Sequence, residues 1–218
     1  MTADFQEQRV KMVDGQVRTT DVTDVAILSA MLDLPREDFV PEQRRPLAYI
    51  DEDIEVAPGR YLMEPSPFAR LLQLAKIRHT DLVLDVGCGT GYSTAVLSRL
   101  ASFVVGLESD AELAARAGQT LSSLGCENVS VVEGPLPAGH AEQAPYDVIF
   151  VNGAVDELPS SLTDQLKDGG RLVAVLGEGN AGRALLHVKE GGLVSASHGF
   201  NAAVRPLPEF RRVQAFQF

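Results

Sequence analysis

Residues 82–93 read LVLDVGCGTGYS, and the fold follows from that stretch. Residues 82–86 are an apolar run broken by one acid, Asp85; glycines then stand at 87, 89 and 91, and Tyr92 opens an amphipathic segment. Apolar run, bare turn and amphipathic segment are the strand, loop and helix of a βαβ unit. The loop falls beyond the carboxyl end of the strand, where open α/β sheets bind their ligands.

Working outward, residues 103–109, 128–134, 147–153 and 171–177 are further apolar runs and are expected as strands. They are nearly continuous rather than alternating, as strands covered on both faces should be. Residues 92–100, 110–124 and 160–166 fill the gaps as helices. The alternation predicts a parallel sheet with right-handed crossovers, an α/β, Rossmann-like doubly wound fold. Residues 3–46 are expected to be helical, clearest over 22–32, with Asp21 or Thr23 as cap and Pro35 as stop. After Gly177 the pattern turns to strands joined by glycine turns, as at 189–192, and residues 208–218 are expected to give a last strand ending in Phe216 and Phe218. The whole chain, 1–218, reads as one domain: a helical cap over 1–46, then a core with C-terminal strands over 47–218.

The loop also limits its ligand. A phosphate-binding loop would end in Gly-Lys-Ser/Thr, and Gly91-Tyr92-Ser93-Thr94 has no lysine. A dinucleotide site prefers G-x-G-x-x-G, whereas the spacing here is G-x-G-x-G beside a carboxylate that would repel a pyrophosphate. Asp85 suits a cationic amine instead. Glu108 ends the second strand about 20 residues on, where an acid can accept both hydroxyls of a ribose. An aminoacyl nucleoside without phosphates fits both acids. D-x-G-x-G-x-G followed by an acid after the next strand resembles the Rossmann-like S-adenosylmethionine-dependent methyltransferases, which implies S-adenosyl-L-methionine as cofactor. The candidate cofactor-binding residues are Asp85, Gly87, Cys88, Gly89, Thr90, Gly91, Glu108, Gly134 and Asn152. Cys88 is expected as a loop filler, since no histidine is placed to activate it.

Size and charge narrow the partners. The 218 residues, 45% hydrophobic, are enough for a sizeable core. A net charge of −11 argues against nucleic acid and against anionic membranes. No apolar run approaches the roughly 20 residues of a membrane span, and the first residues, MTADFQEQRVK, are too polar for a secretory h-region. Cys88 and Cys126 form neither a disulfide framework nor a metal spacing, and the four histidines never stand at i, i+4, so no metal is expected. A reducing cytoplasm is the expected setting.

Several ordered segments point to one family. PREDFVP (35–41), AYID (48–51), GYSTAVL (91–97) and QLKDGGRLV (165–173) resemble, in order and spacing, segments of the protein-L-isoaspartate O-methyltransferases, and Arg205-Pro206-Leu207 weakly echoes their terminal F-V-P-L. The resemblance implies methyl transfer to the carboxylate of isoaspartyl residues in a protein or peptide substrate, the first step in repairing damaged proteins. Such a carboxylate, with a pKa near ~4, is ionised at neutral pH, so no base is needed and no catalytic dyad is expected. The chain departs from the family in its active-site loop. Where the family has roughly Q-T-I-S-x-P, residues 60–65 read RYLMEP, with Tyr61 and Met63 in place of hydroxyls. Glu64, if it faced a substrate carboxylate at ~6 Å, would repel it by about 3 kcal/mol; turned to solvent, it would do nothing. After the third strand the family's G-D-G becomes Gly134-Pro135-Leu136, without the acid that would meet the adenine amine. Residues 51–55 read as a solvated acidic loop. A methyltransferase with another acceptor, or a family member that only binds the cofactor, are the alternatives these departures raise.

Overall fold

The computed structural model describes residues 4–177 and 179–211. Helix α1 (Phe5–Met12) runs through a π turn into α2 (Val25–Asp33), and two 3-10 segments, Arg36–Phe39 and Glu42–Leu47, lead to a hairpin of β1 (Ile54–Ala57) and β2 (Arg60–Leu62). After α3 (Pro65–Ala75) come β3 (Leu82–Val86), α4 (Tyr92–Ser98), β4 (Phe103–Glu108), α5 (Ala111–Ser123), β5 (Val129–Glu133), β6 (Tyr146–Val155), α6 (Ser160–Asp164) and β7 (Leu166–Leu176). The hairpin of β8 (Arg183–Glu190) and β9 (Leu193–Asn201) follows.

Seven of these strands form one sheet in the order β5-β4-β3-β6-β7-β8-β9. The five from β5 to β7 are parallel, and β8 and β9 return antiparallel. The expected doubly wound, mostly parallel sheet is therefore present. The chain moves outward from β3 to β5 and then crosses back to β6, so the order reverses between β3 and β6. Loops following those two strands diverge there and leave a crevice.

Period-two geometry divides the apolar strand residues between the two faces. Val83, Val104, Val148 and Phe150 pack with the N-terminal helices, α3 and α4. Leu84, Val86, Val105, Leu107, Ile149 and Val151 pack with Leu136, Leu162, Leu207 and Phe210. Both faces are covered, which is why these strands carry so few polar residues.

Two segments that carry the family resemblance brace the helical cap. Arg36 is fully buried, donating through Nε to Ala48 O at 2.7 Å and through Nη2 to Met63 O at 2.7 Å, with its guanidinium 4.9 Å from the centre of the Tyr92 ring. The Tyr49 hydroxyl donates to Glu37, and Arg9 donates to Tyr49 Oη at 3.0 Å. A planar, permanently charged fork can bind two carbonyls and stack on a ring at once, which lysine cannot do.

Three details differ from expectation. Asp24, not Asp21 or Thr23, caps α2, accepting from Ala26 N at 2.8 Å; Asp21 instead takes the left-handed turn (φ 64°) that ends the preceding segment. Residues 51–55 are only partly a solvated loop, since Asp53 is half-buried and Ile54 begins β1. Residues 208–210 form a 3-10 turn and not a strand, and Pro206 makes only an isolated bridge to Ala154. Pro206 and Pro208 lack the N–H groups a ladder needs. Phe216 and Phe218 lie outside the described residues.

Candidate functional site

The glycine loop joins β3 to α4 at the crevice. Gly91 has φ 94°, and a Cβ there would lie 3.1 Å from that of Ala117, so a bare residue lets α4 pack closely on α5. Gly87, at φ 80°, comes near the C-terminal segment: its Cβ would lie 2.9 Å from Leu207 Cδ2. The turn is fixed by Gly87 N and Cys88 N donating to Leu107 O, and by Gly91 N donating to Cys88 O.

Asp85 sits beneath this loop, wholly buried. Its Oδ2 accepts from the hydroxyls of Ser93 at 2.6 Å and Thr94 at 2.7 Å, while its Oδ1 has no hydrogen-bond partner among the described residues. Burial pushes its carboxyl up to about 7, against the pull of the two hydroxyls. An unpartnered buried carboxylate oxygen costs free energy until a donor arrives. A cationic amine is the donor the sequence predicted.

Glu108 ends β4 with its side chain fully buried. Its Oε2 accepts from Gly89 N at 2.7 Å, and its Oε1 from Ser109 N at 2.9 Å and Asp110 N at 3.1 Å. The acid is where the motif expects it, but it is not open. Arg60, from β2, is paired with it through both terminal guanidinium nitrogens, Nη2 lying 2.6 Å from Oε2 and Nη1 bonding Oε1. An arginine bound to both oxygens stands where two ribose hydroxyls were expected.

The remaining candidates have mixed roles. Cys88 is buried, with its thiol pushed well above the usual range by burial, and its side chain packs against Gly106. The Thr90 hydroxyl is committed to Phe39 O at 2.6 Å, tying the loop to the N-terminal cap. Gly134 N donates to Glu108 O at 3.0 Å, and Pro135 leads into a short turn that buries Leu136. Asn152, at a bulge in β6, donates to Gly87 O at 3.2 Å and Ser93 Oγ at 3.0 Å, linking both crevice loops.

Beside the loop, Asp53, Arg60, Tyr61, Met63, Asn152 and Leu207 help enclose a cavity of about 10 Å³. Arg205 lies 5.2 Å from the Tyr61 ring centre and 3.7 Å from Asp53. Glu64 faces neither pure solvent nor the glycine loop. It lines an open cleft of about 450 Å³ with Asp51, Glu52 and Asp53, and burial, together with Asp51, raises its carboxyl to about 7.

Together, β3, β4 and β6 bring Asp85, the three glycines, Glu108 and Asn152 to one crevice. These residues fit an aminoacyl nucleoside: an orphaned buried oxygen for the amine, a glycine loop, and a carboxylate at the sugar position. Four participants are not among the residues the sequence motif singles out. Arg60 was visible as the first residue of the variant loop, but its partner lies 48 positions away. Ser93 and Thr94 stand eight and nine positions after Asp85, in the first turn of α4, where the glycine loop folds them back over it. Leu207 carried no local signal.

Comparison with known proteins agrees with this geometry. A family model described as Protein-L-isoaspartate(D-aspartate) O-methyltransferase (PCMT) matches residues 7–207. The protein-L-isoaspartate O-methyltransferase of Koribacter versatilis is 43% identical over 173 residues, covering 79% of this chain and 78% of the relative. Protein-L-isoaspartate O-methyltransferase 2 of an Anaeromyxobacter species is 42% identical over 166 residues, covering 76% and 68%. A solved protein-L-isoaspartate O-methyltransferase superposes with a TM-score of 0.78 at 29% identity, covering 91% of this chain; this chain spans only 65% of it. A Plasmodium falciparum structure of the same family name, in complex with S-adenosyl-L-homocysteine, shares the fold, with a TM-score of 0.78 at 20% identity over 95% of this chain and 99% of that one. The chain belongs to the protein-L-isoaspartate(D-aspartate) O-methyltransferase family, whose members are S-adenosylmethionine-dependent methyltransferases.

Proposed function

We propose that this protein methylates the carboxylate of L-isoaspartyl residues in damaged proteins or peptides, using S-adenosyl-L-methionine. The observation that carries this is the joining of Asp85, the glycine loop and Glu108 at the sheet's switch point, in a chain of this family. Asp85 would hold the amine, the backbone of residues 87–91 the aminoacyl arm, Glu108 the ribose, and Gly134 the edge of the base, with Asn152 keeping the two loops in register. The cofactor supplies an electrophilic methyl on sulfonium.

The protein's part is positional. The acceptor oxygen is already anionic near neutrality, so rate comes from alignment and exclusion of water. Arg36 serves that end by holding Met63 O, which fixes the loop that would border the acceptor. The acidic rim formed by Asp51, Glu52, Asp53 and Glu64 opposes an anionic acceptor, but with its pKa about 7 Glu64 sheds part of its charge at neutral pH. That rim, with Tyr61 and Met63 where hydroxyls were expected, favours a second reading: the same chemistry on another acceptor.

We read the chain as one functional domain, with residues 1–46 as a cap; the apolar cluster continuous from Met12 to Val175 supports this. Among the described residues no helix is long and apolar enough to cross a membrane. Two buried free cysteines accord with a reducing cytoplasm. The test is incubation with methyl-labelled cofactor and paired peptides that differ only in an isoaspartyl or aspartyl linkage. Label should enter the isoaspartyl peptide alone, as a base-labile ester. Label in neither peptide, with cofactor binding retained, would move the assignment to the second reading.

A further inference from the structure

We propose that Arg60 is an internal competitor for the ribose position, so that cofactor binding is a displacement reaction in which the guanidinium leaves Glu108. This rests on the cofactor assignment above. A carboxylate offers about four lone-pair sites. Glu108 already accepts five N–H groups, two from Arg60 and one each from Gly89, Ser109 and Asp110, and the Ser109 hydroxyl stands 3.4 Å from Oε1 as a weaker sixth donor. No ribose hydroxyl can be added without losing a donor. The three main-chain donors belong to the glycine loop and to the start of α5, and cannot withdraw without remaking both. The two guanidinium donors can.

The surroundings allow that exchange. Arg60 lies on β2, a three-residue strand paired only with β1 in a sheet separate from the central one. Its departure breaks no hydrogen bond of the seven-stranded sheet. Leu207 closes the same place from the other side, since a Cβ on Gly153 would meet its Cγ at 2.6 Å and one on Gly87 its Cδ2 at 2.9 Å. The cavity left between them, about 10 Å³, holds about one water. The pairing also has a purpose without the cofactor, because an acid buried at this depth needs a counter-charge.

Calorimetric titration of adenosylhomocysteine into the wild-type chain, Arg60→Gln and Arg60→Lys tests this, with melting curves of each unliganded protein. Arg60→Gln should bind at least tenfold more tightly than wild type while melting at a lower temperature without ligand, and Arg60→Lys should fall between them. If Arg60→Gln does not fold, Arg60→Lys carries the test, with severalfold tighter binding expected. Equal or weaker binding by the folded variants overturns the proposal alone. Absence of binding by all three overturns it together with the cofactor assignment.

Discussion

Replacing Glu108 by alanine is expected to lower the unfolding free energy by about 3–5 kcal/mol and to abolish measurable binding of adenosylhomocysteine. The stability loss follows from burial. The carboxylate is inaccessible and Arg60 nearly so, and removing one partner of a buried pair strands the other charge. Gly89 N, Ser109 N and Asp110 N lose their acceptor in the same step. For a chain of this size each kcal/mol shifts the melting temperature by about 2–4 °C, so a fall of ~10 °C is the expected scale. Glu133 supplies the control. It ends the neighbouring strand in register with Glu108 but is exposed, and Glu133→Ala should change neither quantity appreciably. Similar melting curves for the two variants would show that the Glu108 pair is not a buried structural element.

The second large effect concerns pH. Asp85 has its carboxyl raised from the usual 3.8 to about 7 by burial. In the folded protein it binds a proton more tightly than in the unfolded chain. The stability this contributes is fully present below about pH 4 and is lost as pH rises toward and through 7. That span corresponds to roughly 4 kcal/mol. Asp85→Asn removes the slope: between pH 4 and 8 the variant should lose less stability than wild type, and at pH 8 it should be the more stable protein by about 1–3 kcal/mol. It should also bind adenosylhomocysteine at least tenfold more weakly, because an amide brings no negative charge to meet the cationic amine. Denaturant titrations at several pH values, with calorimetry at pH 8, measure both. Parallel pH profiles would rule out the raised carboxyl, and unchanged affinity would remove Asp85 from the amine's seat.

How much of the site is legible in the chain depends on how local each signal is. Asp85 and Glu108 are legible because the motif is local: a strand end and a glycine loop occupy adjacent positions, and the next strand follows at βαβ spacing. The parallel strands are legible for a related reason, since coverage on both faces leaves runs such as residues 147–151 almost wholly apolar. Arg60 is different. Its role depends on a hairpin folding over a strand 48 residues away, and nothing around residue 60 encodes the partner. Arg36 could be placed in a family segment, but its two carbonyl partners, 12 and 27 positions on, are set by tertiary packing alone. At the C-terminal end the apolar residues suggested pairing, whereas Pro206 and Pro208 fold the segment into a plug whose Leu207 and Phe210 pack beneath the crevice.

The central claim is that a methionine-bearing nucleoside lies on the backbone of residues 87–91 with its sugar on Glu108. A crystal structure grown with adenosylhomocysteine tests it most directly. Both ribose hydroxyls should lie about 2.5–3.0 Å from the Glu108 oxygens, with the Arg60 side chain turned away. Nucleoside density elsewhere, or Glu108 still held by Arg60 in a ligand-saturated crystal, would contradict it.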